Sequence, residues 1–141
     1  MNHVVYLEGK EKELDKLRSG QKSMIIRGAA GRKLPHGRVF PGEVLWFVEN
    51  GGKGMVQGCA TVKKVYNSEK LTEDESRKII ADNQAKLCLT DNQIKRWGSK
   101  RYLVLIEVEN YKDITPFAID RSDYGNMDDW LPAEDMESIK K

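Results

Sequence analysis

Gly20-Gln21-Lys22-Ser23-Met24-Ile25-Ile26-Arg27 is the stretch on which the reading of this chain turns. Met24, Ile25 and Ile26 form an apolar run bounded by Gly20 and Gly28, the pattern of a short buried strand. Lys22 stands at the entrance of that strand and Arg27 at its exit. Arg32, Lys33 and Arg38 follow, with His36 among them, and no acidic residue occurs from Lys22 to Arg38. Two readings fit such a run: a face that holds an anion, or a solvated surface of uneven charge.

Working outward from this stretch, the segment before it reads as a strand and a helix. Val4-Val5-Tyr6-Leu7 is a short apolar run. Lys10 to Arg18 fits one short helix, with Leu14 and Leu17 on a shared face, and Gly20 stops it. After Arg27, the glycines and prolines between Gly28 and Pro41 exclude a regular element and predict a loop. Gly31-Arg32-Lys33 in that loop offers backbone N–H groups and two cations to a phosphate. The Gly-x-x-x-x-Gly-Lys-Ser/Thr spacing of a P-loop is missing, so nucleotide hydrolysis is not expected.

Glu43 to Glu49 predicts a strand with apolar residues on both faces: Val44, Trp46 and Val48 on one, Leu45 and Phe47 on the other. Asn50-Gly51-Gly52-Lys53-Gly54 is a hairpin turn, and Met55 to Tyr66 returns as its partner. Gly58 inside that strand predicts a bulge or a close approach of another segment. Thr72-Glu73-Asp74-Glu75 is a capping box opening a helix from Glu73 to about Ala85, and Thr90-Asp91-Asn92-Gln93 repeats it before a second short helix ended by Gly98. Arg101 to Tyr111 is a strand with Val104, Ile106 and Val108 on one face. Pro116 to Ile119 predicts a separate last strand. Residues 120–141 carry loop signals and read as an acidic C-terminal extension anchored by Trp130 and Leu131.

Composition bounds the rest. A chain of 141 residues, 39% hydrophobic and 33% charged, fits one globular domain with its own core. No apolar run approaches the roughly 20 residues of a membrane helix, and Met1 to Tyr6 lacks a signal-peptide pattern. Cys59 and Cys88 fall in separate predicted elements and read as reduced thiols of a cytoplasmic protein. Neither histidine lies near a cysteine in sequence, and Asp123, Asp128 and Asp129 do not follow a calcium-loop spacing, so neither a metal nor a cofactor is expected. The formal net charge is only +2, so its distribution carries the information: Lys22–Arg38 and Lys95–Arg101 are basic, and Asp123–Glu137 is acidic.

The pattern Gly20-x-Lys22-x-x-x-x-Arg27 resembles the signature of the ASCH domain, a branch of the PUA-like superfamily. Gly42-Glu43-Val44-Leu45-Trp46-Phe47 and Gly58-Cys59-Ala60-Thr61-Val62 resemble the next two strands of that family. The resemblance covers about residues 16–110. It implies an α+β pseudo-barrel, a mixed and mostly antiparallel sheet of five or six strands with two or three short helices, and a cleft that binds RNA or a modified nucleoside. It places Gly20, Lys22 and Arg27 at the ligand, to which the adjacent Ser23 and the basic residues Arg32, Lys33 and Arg38 are added. Some small proteins of this type hydrolyse an acetylated cytidine, with a lysine at the motif position, a threonine three residues on as nucleophile, and a glutamate from a later strand. Lys22 matches the lysine and Glu107 is a candidate for the carboxylate, but Ile25 stands where the threonine would be. Ser23 does not substitute, because adjacent residues on a strand face opposite ways.

Among the aromatics, Trp46 reads as core. Trp97, flanked by Lys95, Arg96, Lys100 and Arg101, fits both a base-stacking platform and helix-end packing. His36 fits either a proton shuttle or a solvated loop residue. Lys22 is expected to touch the ligand, and Arg27 to order the Gly28–Pro41 loop. The functional expectation is a monomeric module binding RNA or a modified nucleoside. A hydrolase using the same cleft and a protein-interaction adaptor stand as alternatives.

Overall fold

The strand at the centre of the motif, β2 (Met24–Ala29), lies at one edge of a six-stranded sheet in a computed structural model that describes residues 1–125 and 127–141. The other strands are β1 (Asn2–Glu8), β3 (Val44–Asn50), β4 (Met55–Asn67), β5 (Tyr102–Ala118) and β6 (Trp130–Ala133). Their order is β2-β5-β4-β3-β1-β6, and the sheet curls into a half-barrel. Only β1 and β3 run parallel; every other neighbouring pair is antiparallel. The helices are α1 (Glu13–Ser19), α2 (Glu73–Asp82), α3 (Gln84–Leu87) and α4 (Asp91–Trp97). This is the α+β pseudo-barrel expected from the sequence.

The strand residues sort by the period of two. Ile25 points into the curl with Val5, Leu45, Phe47, Val62, Ile106 and Trp130. Its neighbours Met24 and Ile26 point outward and are covered, with Leu103 and Leu105, by Ile80, Leu87 and Leu89 of the helical segment. β2 is therefore buried on both faces although it is an edge strand. Each fully buried isoleucine contributes about 1.5–3 kcal/mol.

Local signals place the helices. Thr72 accepts from the Glu75 N–H and Glu75 accepts from the Thr72 N–H; Thr90 and Gln93 repeat the pair at α4. Gly20 closes α1 with φ at 83°, which a residue with a Cβ seldom adopts. Gly58 matches both of its expected roles. The β4–β5 register shifts beside it, and a Cβ there would lie 2.2 Å from the Tyr111 hydroxyl.

Several boundaries differ from the sequence reading. The helix expected over Lys10–Arg18 is broken at Lys12, whose φ is 55°, into a 3-10 turn (Gly9–Glu11) and α1. The strand expected from Gly20 begins at Met24. The helix expected to run to Ala85 stops at Asp82, and α3 restarts after Asn83. Pro116–Ile119 is not a separate strand: β5 runs on through Ala118, held by β4. The loop reading of residues 120–141 is corrected by β6, which pairs with β1 over Asn2–Val5, and by a 3-10 turn at Met136–Ile139.

The two outer edges of the curl, β2 and the β1–β6 pair, share no ladder. Arg27 bridges them. Its Nη2 donates to the Tyr6 carbonyl at 2.6 Å, and its guanidinium lies 5.7 Å from the Trp130 ring centroid. Its Nε sits 3.3 Å from an Asp129 carboxylate oxygen.

Candidate functional site

A cleft opens at this seam. It measures about 480 Å³ and is walled by Arg27 to Gly31 from the end of β2, Lys33 to His36 from the following loop, Trp97 from α4, Lys100, Tyr102 and Val104 from the start of β5, and Asp129. The sequence explains the convergence. β2 and β5 are antiparallel, with Gly28 opposite Leu103 and Ala29 opposite Tyr102. The exit of one strand therefore meets the entrance of the other. Gly28 leaves room for the Lys100 stem, since a Cβ there would come within 3.0 Å of it.

The loop wall is fixed from below. His36 Nε2 lies 2.8 Å from the Ser68 carbonyl, so that nitrogen carries the proton and donates. The Gly37 N–H donates to Asn67 Oδ1 at 2.8 Å, and Val39 is buried in the core. The His36 ring meets Tyr102 edge-on at 5.9 Å, and the Arg32 guanidinium covers the Tyr102 ring at 5.6 Å. Arg32 also pairs with Glu69 at 3.0 Å.

Arg27 is the cation at the base of the cleft and is only 7% exposed. Nη1 and Nη2 donate to the Ile26 and Tyr6 carbonyls. Nε, although near Asp129, is too poorly aligned to donate, and among the described residues it is the buried side-chain polar atom without a hydrogen-bond partner. Its contacts are carbonyls and a carboxylate, as expected, but they run across the seam rather than into the Gly28–Pro41 loop. Lys33 and Lys100, on the rim, form no ion pair among the described residues. The cleft thus presents two cations outside any ion pair among the described residues and aromatic walls, a set that suits an anionic group attached to a flat ring.

Lys22 does not border this cleft. Its side chain is completely buried; Nζ donates to the Leu87 carbonyl at 2.7 Å and lies 3.6 Å from Glu13. Glu13 in turn accepts from the Glu8 N–H and from Gln93 Nε2. Burial pushes the Lys22 pKa down to about 8; Glu13 opposes the shift and the nearby Arg27 charge adds to it. Lys22 thus ties β2 to α1 and to the end of α3, directly behind the strand that carries Arg27.

The remaining expected residues separate. Gly20 caps α1, and Ser23 joins β2 to its surroundings through backbone bonds to Lys86 and Val108. Arg38 is exposed in the loop and does not line the cleft. Glu107 lies in a different pocket of about 400 Å³ beside Met24 and Tyr66. There a hydrogen bond from Lys86 at 3.0 Å, with Lys63 at 3.6 Å, holds its carboxyl below the usual range. Arg27, Lys33 and Trp97 meet at the cleft. Lys100, Tyr102 and Asp129 were missed by the sequence reading. Lys100 and Tyr102 carried a signal, since they flank the cationic Trp97 segment two apart. Asp129 carried none, because its partner is 102 positions away by residue number, 129 against 27.

The comparisons agree with the fold. The structure is similar to the crystal structure of ASCH from Zymomonas mobilis, with a TM-score of 0.71 and 12% identity over 97% of this chain and 91% of that one. A Tyr-to-Phe variant of that protein gives 0.73 and 13% over 97% and 93%. A Ser-to-Ala variant gives 0.71 and 14% over 97% and 91%. At such identities the likeness shows the fold, and this chain has an ASCH-type fold. No family model and no curated protein matches the sequence. Among the described residues, no helix is long and apolar enough to cross a membrane.

Proposed function

We propose that this chain binds single-stranded RNA, or a modified nucleoside bearing a phosphate, in the Arg27–Trp97 cleft. The observation that carries the reading is the cleft lining itself: Lys33 and Lys100, neither in an ion pair among the described residues, stand beside Trp97 and Tyr102. Trp97 and Tyr102 supply the apolar walls a base needs. The ASCH-type fold supports the same reading, because the family is linked to RNA. Of the expected ligand residues, Arg27, Lys33 and Trp97 contact the ligand in this proposal. Lys22, Gly20 and Ser23 hold β2 in place, and Arg32 braces Tyr102. The reading keeps a cytoplasmic monomer.

The hydrolase alternative lacks a comparable observation. Ile25 is fully buried in the core, and His36, the imidazole on the cleft wall, donates to the Ser68 carbonyl.

The test is a titration of fluorescent single-stranded RNA at several salt concentrations, with Lys33→Glu/Lys100→Glu beside the wild type. Binding that weakens with salt, and a weaker, shallower response in the variant, are expected, because each neutralised phosphate releases counterions. No binding at low salt, or a variant indistinguishable from wild type, overturns the reading.

A further inference from the structure

Residues 98–101 form the crest between two hollows. Lys100 and Tyr102 line the cleft, whereas Ser99 and Arg101, between and beside them, line a second hollow of about 430 Å³ with Lys70, Leu71, Thr72 and Glu73. Gly98 and Ser99 form a turn, closed by the Lys100 N–H donating to the Trp97 carbonyl at 3.1 Å, and β5 begins only at Tyr102, so the crest sends Lys100 to one hollow and Ser99 and Arg101 to the other. We infer that this second hollow takes the neighbouring phosphate of a single-stranded RNA whose base sits in the cleft, so that the ligand is an oligonucleotide that crosses the Lys100 crest. The inference rests on the cleft reading above and names the ligand class more closely.

Charge decides the direction of the chain. On the far side of the cleft a smaller groove shares Lys33, Leu34 and Asp129 with it and adds Met127, Asp128 and Trp130. Asp128 and Asp129 are exposed there. A polyanion leaving on that side would pass two carboxylates. On the Lys100 side it meets Arg101 and Lys70, both exposed and neither in an ion pair among the described residues. Glu73 also faces that hollow, but its carboxylate is held by Arg77 at 2.5 Å. The start of α2 is already capped by Thr72 and Glu75, so the attraction comes from the two cations and the Ser99 hydroxyl. The Leu71 N–H donates to the Arg101 carbonyl at 2.7 Å, which ties the two walls together.

Uridine 5′-monophosphate and a fluorescent trinucleotide of uridine distinguish the possibilities, each measured against wild type, Lys70→Glu/Arg101→Glu and the milder Lys70→Ala/Arg101→Ala. The trinucleotide is expected to bind about tenfold more tightly than the mononucleotide. The charge-reversed variant should lose about tenfold on the trinucleotide, with a salt slope shallower by about 0.7, while its mononucleotide affinity stays within about twofold. The alanine variant should show a smaller loss of the same kind, which separates the effect from misfolding. Equal affinity for both ligands, or equal losses on both, overturns the second subsite and leaves the cleft reading standing. Absence of binding of either ligand to the wild type at low salt overturns both.

Discussion

Arg27 Nη2 and the Tyr6 carbonyl meet at 2.6 Å across the two edges of a sheet that has no ladder to join them. One side chain therefore closes the half-barrel and also forms the base of the cleft. A lysine keeps the charge but lacks the planar fork that reaches Ile26, Tyr6 and Trp130 together. Arg27→Lys is expected to destabilise the fold by about 2–4 kcal/mol, since it leaves buried carbonyls unpaired. Hydrogen exchange should quicken in the second half of β1 and in β6, while the β3–β4 hairpin stays protected. Uniform loosening of the whole sheet would show that the seam has no special role.

Lys22 gives a pH signature. Its pKa falls from the ordinary 10.5 to about 8 in the folded chain, chiefly through burial. Between those values the unfolded chain binds the proton and the folded one does not. Stability contributed by this group therefore rises with pH from about 8 to 10.5 and is flat below that window. The rise amounts to about 3 kcal/mol. Urea denaturation at pH 7.5, 9 and 10 should show it in wild type and not in Lys22→Met. The variant is also expected to be less stable at pH 7.5, because Glu13 loses its cation. Parallel pH profiles for the two proteins would rule out the buried pair.

His3 acts at the other end of the scale. It is 1% exposed, accepts from Trp130 Nε1 at 3.0 Å through Nδ1, and donates to Glu43 through Nε2 at 3.0 Å. Indole nitrogen only donates, so His3 must be neutral for both bonds to exist. Burial lowers its pKa below 6.5, and the Glu43 bond only partly opposes this. The unfolded chain thus takes up the proton first. Stability from His3 is full above 6.5 and falls as the pH drops through the folded value. Glu43 acts lower: burial alone would raise its pKa, but bonds from His3 and the Phe40 N–H hold it below 4.5. Its contribution is lost only as the pH falls through that still lower value. His3→Gln should flatten the loss that starts near pH 6.5 and leave the later one. An unchanged acid profile would count against the tautomer.

Features set by neighbours in sequence were legible, and those set by distant partners were not. The capping boxes at Thr72 and Thr90 and the turn at Asn50–Gly54 each depend on a few adjacent residues. β6 is four residues long, contains Pro132 and lies in an acidic segment. Only pairing with β1, more than a hundred residues away, makes it a strand. Lys22 read as a ligand contact because nothing near it in sequence announces Glu13 on a preceding helix or the Leu87 carbonyl 65 residues on. The cleft was half legible for the same reason. Its cations cluster in sequence, while Asp129 joins them only through the fold.

Gly58 tests the close approach directly. A Cβ at this position would lie 2.7 Å from Tyr111 Cζ as well as against its hydroxyl, and the Tyr111 ring stacks on Phe47 at 6.1 Å between centroids. The Tyr111 hydroxyl donates to Asp113 at 2.9 Å, so moving the ring aside gives up that bond as well as the stacking. Gly58→Ala should cost about 2 kcal/mol or more by overpacking. In the Tyr111→Ala background the same change should cost about 0.5 kcal/mol or less, because the obstacle is gone. Equal costs in the two backgrounds would place the strain elsewhere.

Trp97 decides whether the aromatic wall binds or merely packs. It ends α4 half-buried against the cluster of Met24, Ile26 and Leu103, and it also faces the cleft. Truncation to alanine would disturb both roles at once, so three substitutions are needed. Trp97→Phe keeps an aromatic face and should bind RNA within about threefold of wild type. Trp97→Leu fills much of the packing volume without a ring. It should lose about 1–3 kcal/mol of binding, the contribution of one stacked base, while folding stability changes by less than about 1.5 kcal/mol. Trp97→Ala should lose both binding and stability. Affinity that follows stability through the series, with the leucine variant binding as well as the phenylalanine one, would make Trp97 a helix-end packing residue. In that case Tyr102 would be left as the aromatic wall of the cleft, beside the cations.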